Sequence, residues 1–273
     1  MARRQHVPWK AAGAASEERH SADEVVRETG WVFNNVVGSR LTLADFVSTG
    51  DHETGAYLHA FGLSDDATGE HTLVEIGSGI GRMTAGLSRM FGRVYACDLD
   101  AAFLERCRET VAQFGEPARL ITRHVADGRH LPIEDDTADL TFSYITLQHC
   151  QHDDALALIR EAVRVTKPGG AIAVNLRTWV GRDVMLWPLG KMMRAMWRIP
   201  GFGPWVARRR FATRLGWQAN RLSPAEVLPV VDGLRDVAIF RSPQRRPFHI
   251  EGAADRTFDG INRSHWWLVA RVT

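Results

Sequence analysis

The hydrophobic pattern of this chain changes period repeatedly, and the changes mark out short strands alternating with helices. Leu73-Val74-Glu75-Ile76 and Val94-Tyr95-Ala96-Cys97 are mostly apolar runs of strand length, and comparable strands are predicted over residues 119–124, 140–145 and 171–176. Between them the apolar positions recur at helical spacing. Met83, Leu87 and Met90 or Phe91 share one side of a helix over 82–91, and further helices are predicted over 101–114 and 153–165. Two more strands, at 236–240 and 266–272, bring the total to seven. Strand and helix alternating in this order predict an α/β fold, a doubly wound and mostly parallel sheet joined by right-handed crossovers. Such sheets bind ligands at the carboxyl ends of the strands, beside strand one, and Gly77, Asp98, Asp127 and Ser143 all fall at or just after strand ends.

The flanks have a different texture. Residues 1–22 mix small and charged residues without periodicity and read as a loose tail. Ser21-Ala22-Asp23-Glu24 opens a helix with Ser21 as its cap. From Trp31 to Leu63 the pattern is helical but broken, with Gly38, Gly50 and Gly55 as punctuation, and its polar piece Asp45–Tyr57 either folds over a ligand or simply covers the sheet edge. After strand five comes an insertion, 178–222, with five tryptophans. Nine basic residues (Arg182, Lys191, Arg194, Arg198, Arg208, Arg209, Arg210, Arg214, Arg221) face a single acid, Asp183, and Pro188, Pro200, Gly201, Gly203 and Pro204 cut the segment into short pieces. Ser223-Pro224-Ala225-Glu226 restarts a helix. The chain thus divides into a helical cover (23–70), a core (71–177), the insertion, and a closing helix with strands six and seven (223–273).

Composition narrows the class only slightly. With 273 residues, 45% hydrophobic and 24% charged, the chain holds one α/β domain with additions. A net charge of +2 makes it mildly basic. Cys97, Cys107 and Cys150 show neither metal spacing nor a disulfide framework, so no metal is expected and a cytoplasmic setting is. No apolar run approaches a membrane span, and no secretory signal is read behind Arg3 and Arg4.

The chemistry concentrates where strand one ends. Gly77, Gly79 and Gly81 alternate with other residues, a turn that lets the chain reverse sharply while the following helix offers free N–H donors. Asp98 ends strand two about twenty residues later, where such folds place an acid for ribose hydroxyls; it is also positioned to cap the next helix, a role Asp100 shares. The spacing is G-x-G-x-G with Glu75 two residues before it, not the G-x-G-x-x-G of dinucleotide folds, which disfavours a nicotinamide oxidoreductase.

Glu75-Ile76-Gly77-Ser78-Gly79-Ile80-Gly81 resembles the first motif of class I S-adenosylmethionine-dependent methyltransferases. Val94–Asp100 resembles their second motif, Val125–Pro132 the third, Asp139–His149 the fourth strand with its Gln-His ending, and Arg164–Gly170 the turn before strand five. The resemblance implies a Rossmann-like methyltransferase fold with S-adenosyl-L-methionine as cofactor. It implies a role for Glu75 near the methionine moiety, for Gly77, Ser78 and Gly79 in close backbone approach, and for Gly81 in strand–helix packing. Asp98 with Leu99 would hold the ribose, Asp127 with Gly128 would face the adenine, and Ser143 would lie near the amino-acid end. His149 follows strand four, beside the expected methyl position, and is either a general base for a hydroxyl acceptor or a residue that orients its loop.

In the family resembled, insertions after strand five lie above the active site, which implies a lid over the acceptor; the bland alternative is a solvated helical add-on. Its composition also admits a membrane face or a single-stranded RNA contact. The function expected is methyl transfer to a hydroxyl of a small-molecule, sugar or lipid-linked acceptor. The alternatives are an RNA methyltransferase and a partner protein that binds the cofactor without catalysis.

Overall fold

The computed structural model describes residues 21–33, 41–197, 199–207, 215–216 and 220–273. Residues 1–20, Gly38, Arg198, Arg208, Arg209, Arg210 and Arg214, all named in the sequence reading, lie outside them, as does Trp217, one of the five tryptophans of the insertion. A mostly parallel sheet organises the rest. Its strands are β1 (Thr72–Ile76), β2 (Arg93–Asp98), β3 (Leu120–His124), β4 (Ala138–Ser143), β5 (Thr166–Arg177), β6 (Leu234–Arg241), β7 (Ala254–Thr257) and β8 (His265–Val272). They lie in the order β3-β2-β1-β4-β5-β8-β6-β7, with β8 antiparallel to both β5 and β6.

The sheet therefore has eight strands, not the seven expected. The extra one, β7, falls between the two strands expected at 236–240 and 266–272, in a stretch whose Pro- and Arg-containing sequence reads as a loop over 242–264. Ala254-Asp255-Arg256-Thr257 has no apolar face to betray it and is mostly exposed. It becomes a strand because it pairs parallel with β6 and because Asp255 takes the Arg241 guanidinium at 2.7 Å. Strand five likewise starts earlier than expected: Lys167-Pro168-Gly169-Gly170, read as a turn, belongs to β5, with the β4 register slipping between Ala138 and Leu140.

Alternation within the strands sends side chains to both faces. On one face Val74, Ile76, Ile172, Val174 and Trp266 pack with Leu158, Ile159 and Ala162 of α5 (His152–Val165). On the other, Leu73, Phe142 and Trp267 pack with Tyr57 and Leu58 of α2 (Leu43–Ala60), with Phe61 that caps it, and with Leu87 of α3 (Thr84–Met90). Helix α1 (Ala22–Phe33) starts where Ser21 Oγ accepts the Glu24 N–H at 3.3 Å, and it buries Val25 and Val26 against α2 and α4 (Ala101–Phe114).

Gly50 and Gly55 do not break the N-terminal helix. Both sit inside the 18-residue α2, whose start is fixed by a capping box between Thr42 and Asp45. Gly50 is there because α2 crosses the start of α3 closely: a Cβ at this position would lie 2.2 Å from the Arg82 carbonyl oxygen. A residue that reads as punctuation along the chain is a packing device in space.

In the insertion, α6 (Asp183–Met196) runs through Pro188 without ending, and a short α7 (Phe202–Ala207) follows. Pro188 deprives the Val184 carbonyl of its helical donor, and Val184 is exposed, so water is within reach. Asp183 is not a surface counter-charge to the basic residues. It is buried, accepting from Arg177 at 2.7 Å and from Arg221 at 3.0 Å, which ties both ends of the insertion to the end of β5. The closing helix α8 (Pro224–Val227) is capped by Ser223 and Glu226.

Candidate cofactor and active site

The ends of β1, β2 and β4 open into one cleft of about 180 Å³. Three tight turns shape it. The glycine turn after β1 takes positive φ at Gly77 (83°), Gly79 (55°) and Gly81 (93°), values that side-chain-bearing residues rarely adopt. Gly128 (69°) closes the turn after β3. After β4, Ile145 stands at φ 51°, an uncommon position for a β-branched residue that costs on the order of 1–3 kcal/mol. Its N–H points to Asn175 Oδ1 at 3.4 Å.

Of the residues expected at a cofactor site, Glu75, Gly77, Ser78, Gly79, Asp98, Leu99, Asp127, Gly128 and His149 line this cleft. Gly81 stands behind it: a Cβ there would meet Thr110 and Cys107 of α4 at 3.1–3.2 Å, the strand–helix packing role the resemblance implied. Ser143 also stands back from the lining, fully buried with its hydroxyl donating to the Ile76 carbonyl at 3.0 Å, so it stitches β4 to β1. At Gly77 the neighbour that excludes a side chain is the protein's own Thr146, 2.1 Å from where a Cβ would lie.

Glu75 and Asp98 are the two carboxylates at the floor. Burial pushes Glu75 up to about 7, against the opposing pull of its 2.6 Å hydrogen bond from Thr84 and the charge of Arg82. Burial also pushes Asp98 up to about 6, although its oxygens accept the N–H groups of Asp100 (2.9 Å) and Gly79 (2.8 Å). Both carboxyls thus carry a desolvation penalty that a cationic ligand would relieve. Asp127 is different: it is exposed, its Oδ1 accepts from the N–H groups of His130 and Arg129 at 2.9 Å, and these bonds hold its carboxyl below the usual range.

His149 sits in a short turn, Leu147–His149, and is 5% exposed. Gln148 Nε2 lies 3.2 Å from His149 Nε2, so the orientation of the Gln148 amide sets the imidazole tautomer. The far end of the insertion holds this turn. Asn220 Nδ2 donates to the carbonyls of Leu147 (2.7 Å) and Cys150 (2.9 Å), and the Asn220 N–H reaches the Gln148 carbonyl at 3.2 Å. Among the described residues none from 178–222 lines the cleft itself.

Several lining residues were not among the expected site residues, Phe46, Arg82, Tyr144 and Thr146 among them. Arg82 pairs with Glu53 at 2.8 Å and lies 5.5 Å from the Tyr144 ring, while Tyr57 donates to the Tyr144 hydroxyl at 3.2 Å. These contacts join α2 to the rim. The segment Asp45–Tyr57 thus packs on one face of the sheet, not over its edge, and through Phe46 it faces the cleft.

Residues 74–174 match the model of a methyltransferase domain. Those residues therefore form a methyltransferase domain of the class I S-adenosylmethionine-dependent type. It is 35% identical over 102 residues to a malonyl-[acyl-carrier protein] O-methyltransferase of Halorhodospira halophila, covering 37% of this chain and 32% of that one. It is 33% identical over 106 residues to phosphoethanolamine N-methyltransferase 1 of Triticum aestivum, covering 38% and 21%. The chain therefore spans a third or less of these two relatives. Its fold matches a chain of the complex between the Haloferax volcanii Trm112 methyltransferase activator and a methyltransferase, with TM-score 0.53, 16% identity and 99% of both chains covered.

S-adenosylmethionine is the cofactor of such domains, and the cleft fits it. The molecule carries a sulfonium and an ammonium group, the positive charge that Glu75 and Asp98 lack, and a ribose diol whose donors Asp98 is suited to accept. Asp98→Ala is accordingly expected to weaken S-adenosylhomocysteine binding by roughly tenfold or more in calorimetry. Binding to the unaltered protein should also weaken as pH falls through about 6, where Asp98 takes up a proton. An affinity unchanged in the folded variant removes Asp98 from the site.

Proposed function

We propose that this methyltransferase acts on a hydroxyl of a small-molecule, sugar or lipid-linked acceptor, with His149 as general base. The observation that carries this reading is that His149 is buried in the same cleft as Glu75, Asp98 and the glycine turn. The cofactor supplies a methyl group bound to a sulfonium, already electrophilic. A neutral amine can attack such a group with its own lone pair, but an alcohol must lose its proton as the C–O bond forms. A histidine at the cleft serves that need, since its ordinary pKa lies near neutrality. Glu75, Asp98 and the Gly77–Gly79 turn bind and orient the cofactor. Phe46, Ile145 and Tyr144 exclude water, so alignment contributes as well. The curated relatives divide between oxygen and nitrogen acceptors; His149 favours oxygen.

The experiment is incubation of the protein with methyl-labelled S-adenosylmethionine and a metabolite extract, followed by mass spectrometry of the labelled products. Label on oxygen, with release of S-adenosylhomocysteine, is the expected result. Label only on nitrogen or in RNA, or none at all, overturns the reading.

A further inference from the structure

Large hydrophobic side chains exposed singly over a surface need no explanation, but here they are not scattered. Among the described residues all nine exposed ones fall between Trp179 and Trp205. On α6, Met185, Pro188, Leu189 and Met192 follow i, i+3, i+4, i+7 spacing and so share one face. Met185 is 75% exposed, Met192 49% and Leu189 40%. Ile199, Phe202 and Trp205 extend the apolar surface at three-residue spacing into α7, and the Phe202 and Trp205 rings stack at 5.6 Å. Another side of the same pair is closed, with Trp197 and Val206 buried against Met193 and Met196. The segment has packed an inner core and left an outer apolar face in water.

Among the described residues of the insertion the exposed charges have one sign. The insertion carries nine basic residues and one acid, and that acid, Asp183, is buried between Arg177 and Arg221. Arg182 and Lys191 are exposed on or beside α6. A second copy of the chain would bring the same positive charge to the contact. A nucleic acid would match the charge and could stack on Phe202 and Trp205, but the larger part of the face, Val184, Met185, Leu186, Leu189, Met192 and Ile199, is not aromatic and offers bases nothing to stack on. An anionic bilayer matches both properties, with apolar side chains at the acyl boundary and Lys and Arg among the headgroups. Among the described residues no helix is long and apolar enough to cross a membrane. We propose that α6 and α7 form an interfacial face that docks the protein on an anionic membrane surface. This proposal goes beyond methyl transfer and stands without it.

The test is co-sedimentation of the full chain with phosphatidylcholine vesicles, with and without phosphatidylglycerol. The protein should sediment with the anionic vesicles, less with phosphatidylcholine alone, and less again as salt rises. The triple variant Met185→Glu, Leu189→Glu, Met192→Glu keeps good helix formers at exposed positions, so it should fold. It should lose vesicle binding by about tenfold or more while its affinity for S-adenosylhomocysteine stays unchanged. That second readout separates failure of the membrane face from failure of the cofactor site. Absence of vesicle binding by the unaltered protein, or equal binding by the variant, overturns the proposal. So does a dimer, seen by light scattering, that the triple variant abolishes.

Discussion

Asp183→Ala is expected to destabilise the protein by about 3–5 kcal/mol, the range for removing one partner of a buried ion pair. The carboxylate is 1% exposed and accepts from two guanidinium groups, those of Arg177 and Arg221, each 6% exposed. Without it the two like charges would face each other in a poorly solvated place. The strain already shows: burial and the neighbouring Arg221 bring Arg177 down to about 10. Urea unfolding measures the loss, and a change below about 1 kcal/mol would mean that water reaches the pair after all. Asp183→Asn should fall in between, because it keeps one acceptor but no charge. The pH dependence has a definite sign. Burial raises the Asp183 carboxyl, but the Arg221 hydrogen bond and the Arg177 charge outweigh this and hold it below 3.8. Its contribution is therefore present at neutral pH and is lost only as pH falls through that depressed value.

His149→Ala is expected to lower kcat by about a hundredfold or more, the range for a lost general base, with little change in cofactor affinity. The unaltered enzyme should show a rise in rate through neutral pH that the variant lacks. A purely orienting histidine would not produce that rise. His149→Gln is the discriminating control, since it retains polarity and some bulk but accepts no proton near neutrality. Near-native turnover by this variant at saturating acceptor would make His149 an orienting residue and leave catalysis to alignment. Asn220→Ala separates the two roles further. It releases the Leu147 and Cys150 carbonyls and loosens the turn, so it should act on kcat without shifting the pH at which the rate rises.

Much of the centre of this protein was determined by its sequence alone. Strand-length apolar runs, helical spacing and the Gly77–Gly81 turn each report local backbone preferences, which neighbouring residues largely set. Hence β1, β2 and the strand-end positions of Glu75 and Asp98 were legible. Only the tertiary structure decided the features that depend on what lies opposite. The polar β7 is a strand because β6 offers it an edge, and Gly50 sits inside a helix because the Arg82 backbone passes within a Cβ's reach. Arg82, Tyr144 and Thr146 reach the cleft because α2 and the turn after β4 fold towards it. Ser143, at a strand end like the others, faces β1 and bonds to Ile76 instead. Asp183 shows the same limit most plainly. Along the chain it is one acid among nine basic residues; in space it is buried between two arginines, because burial and pairing are properties of segments that meet only after the chain has folded.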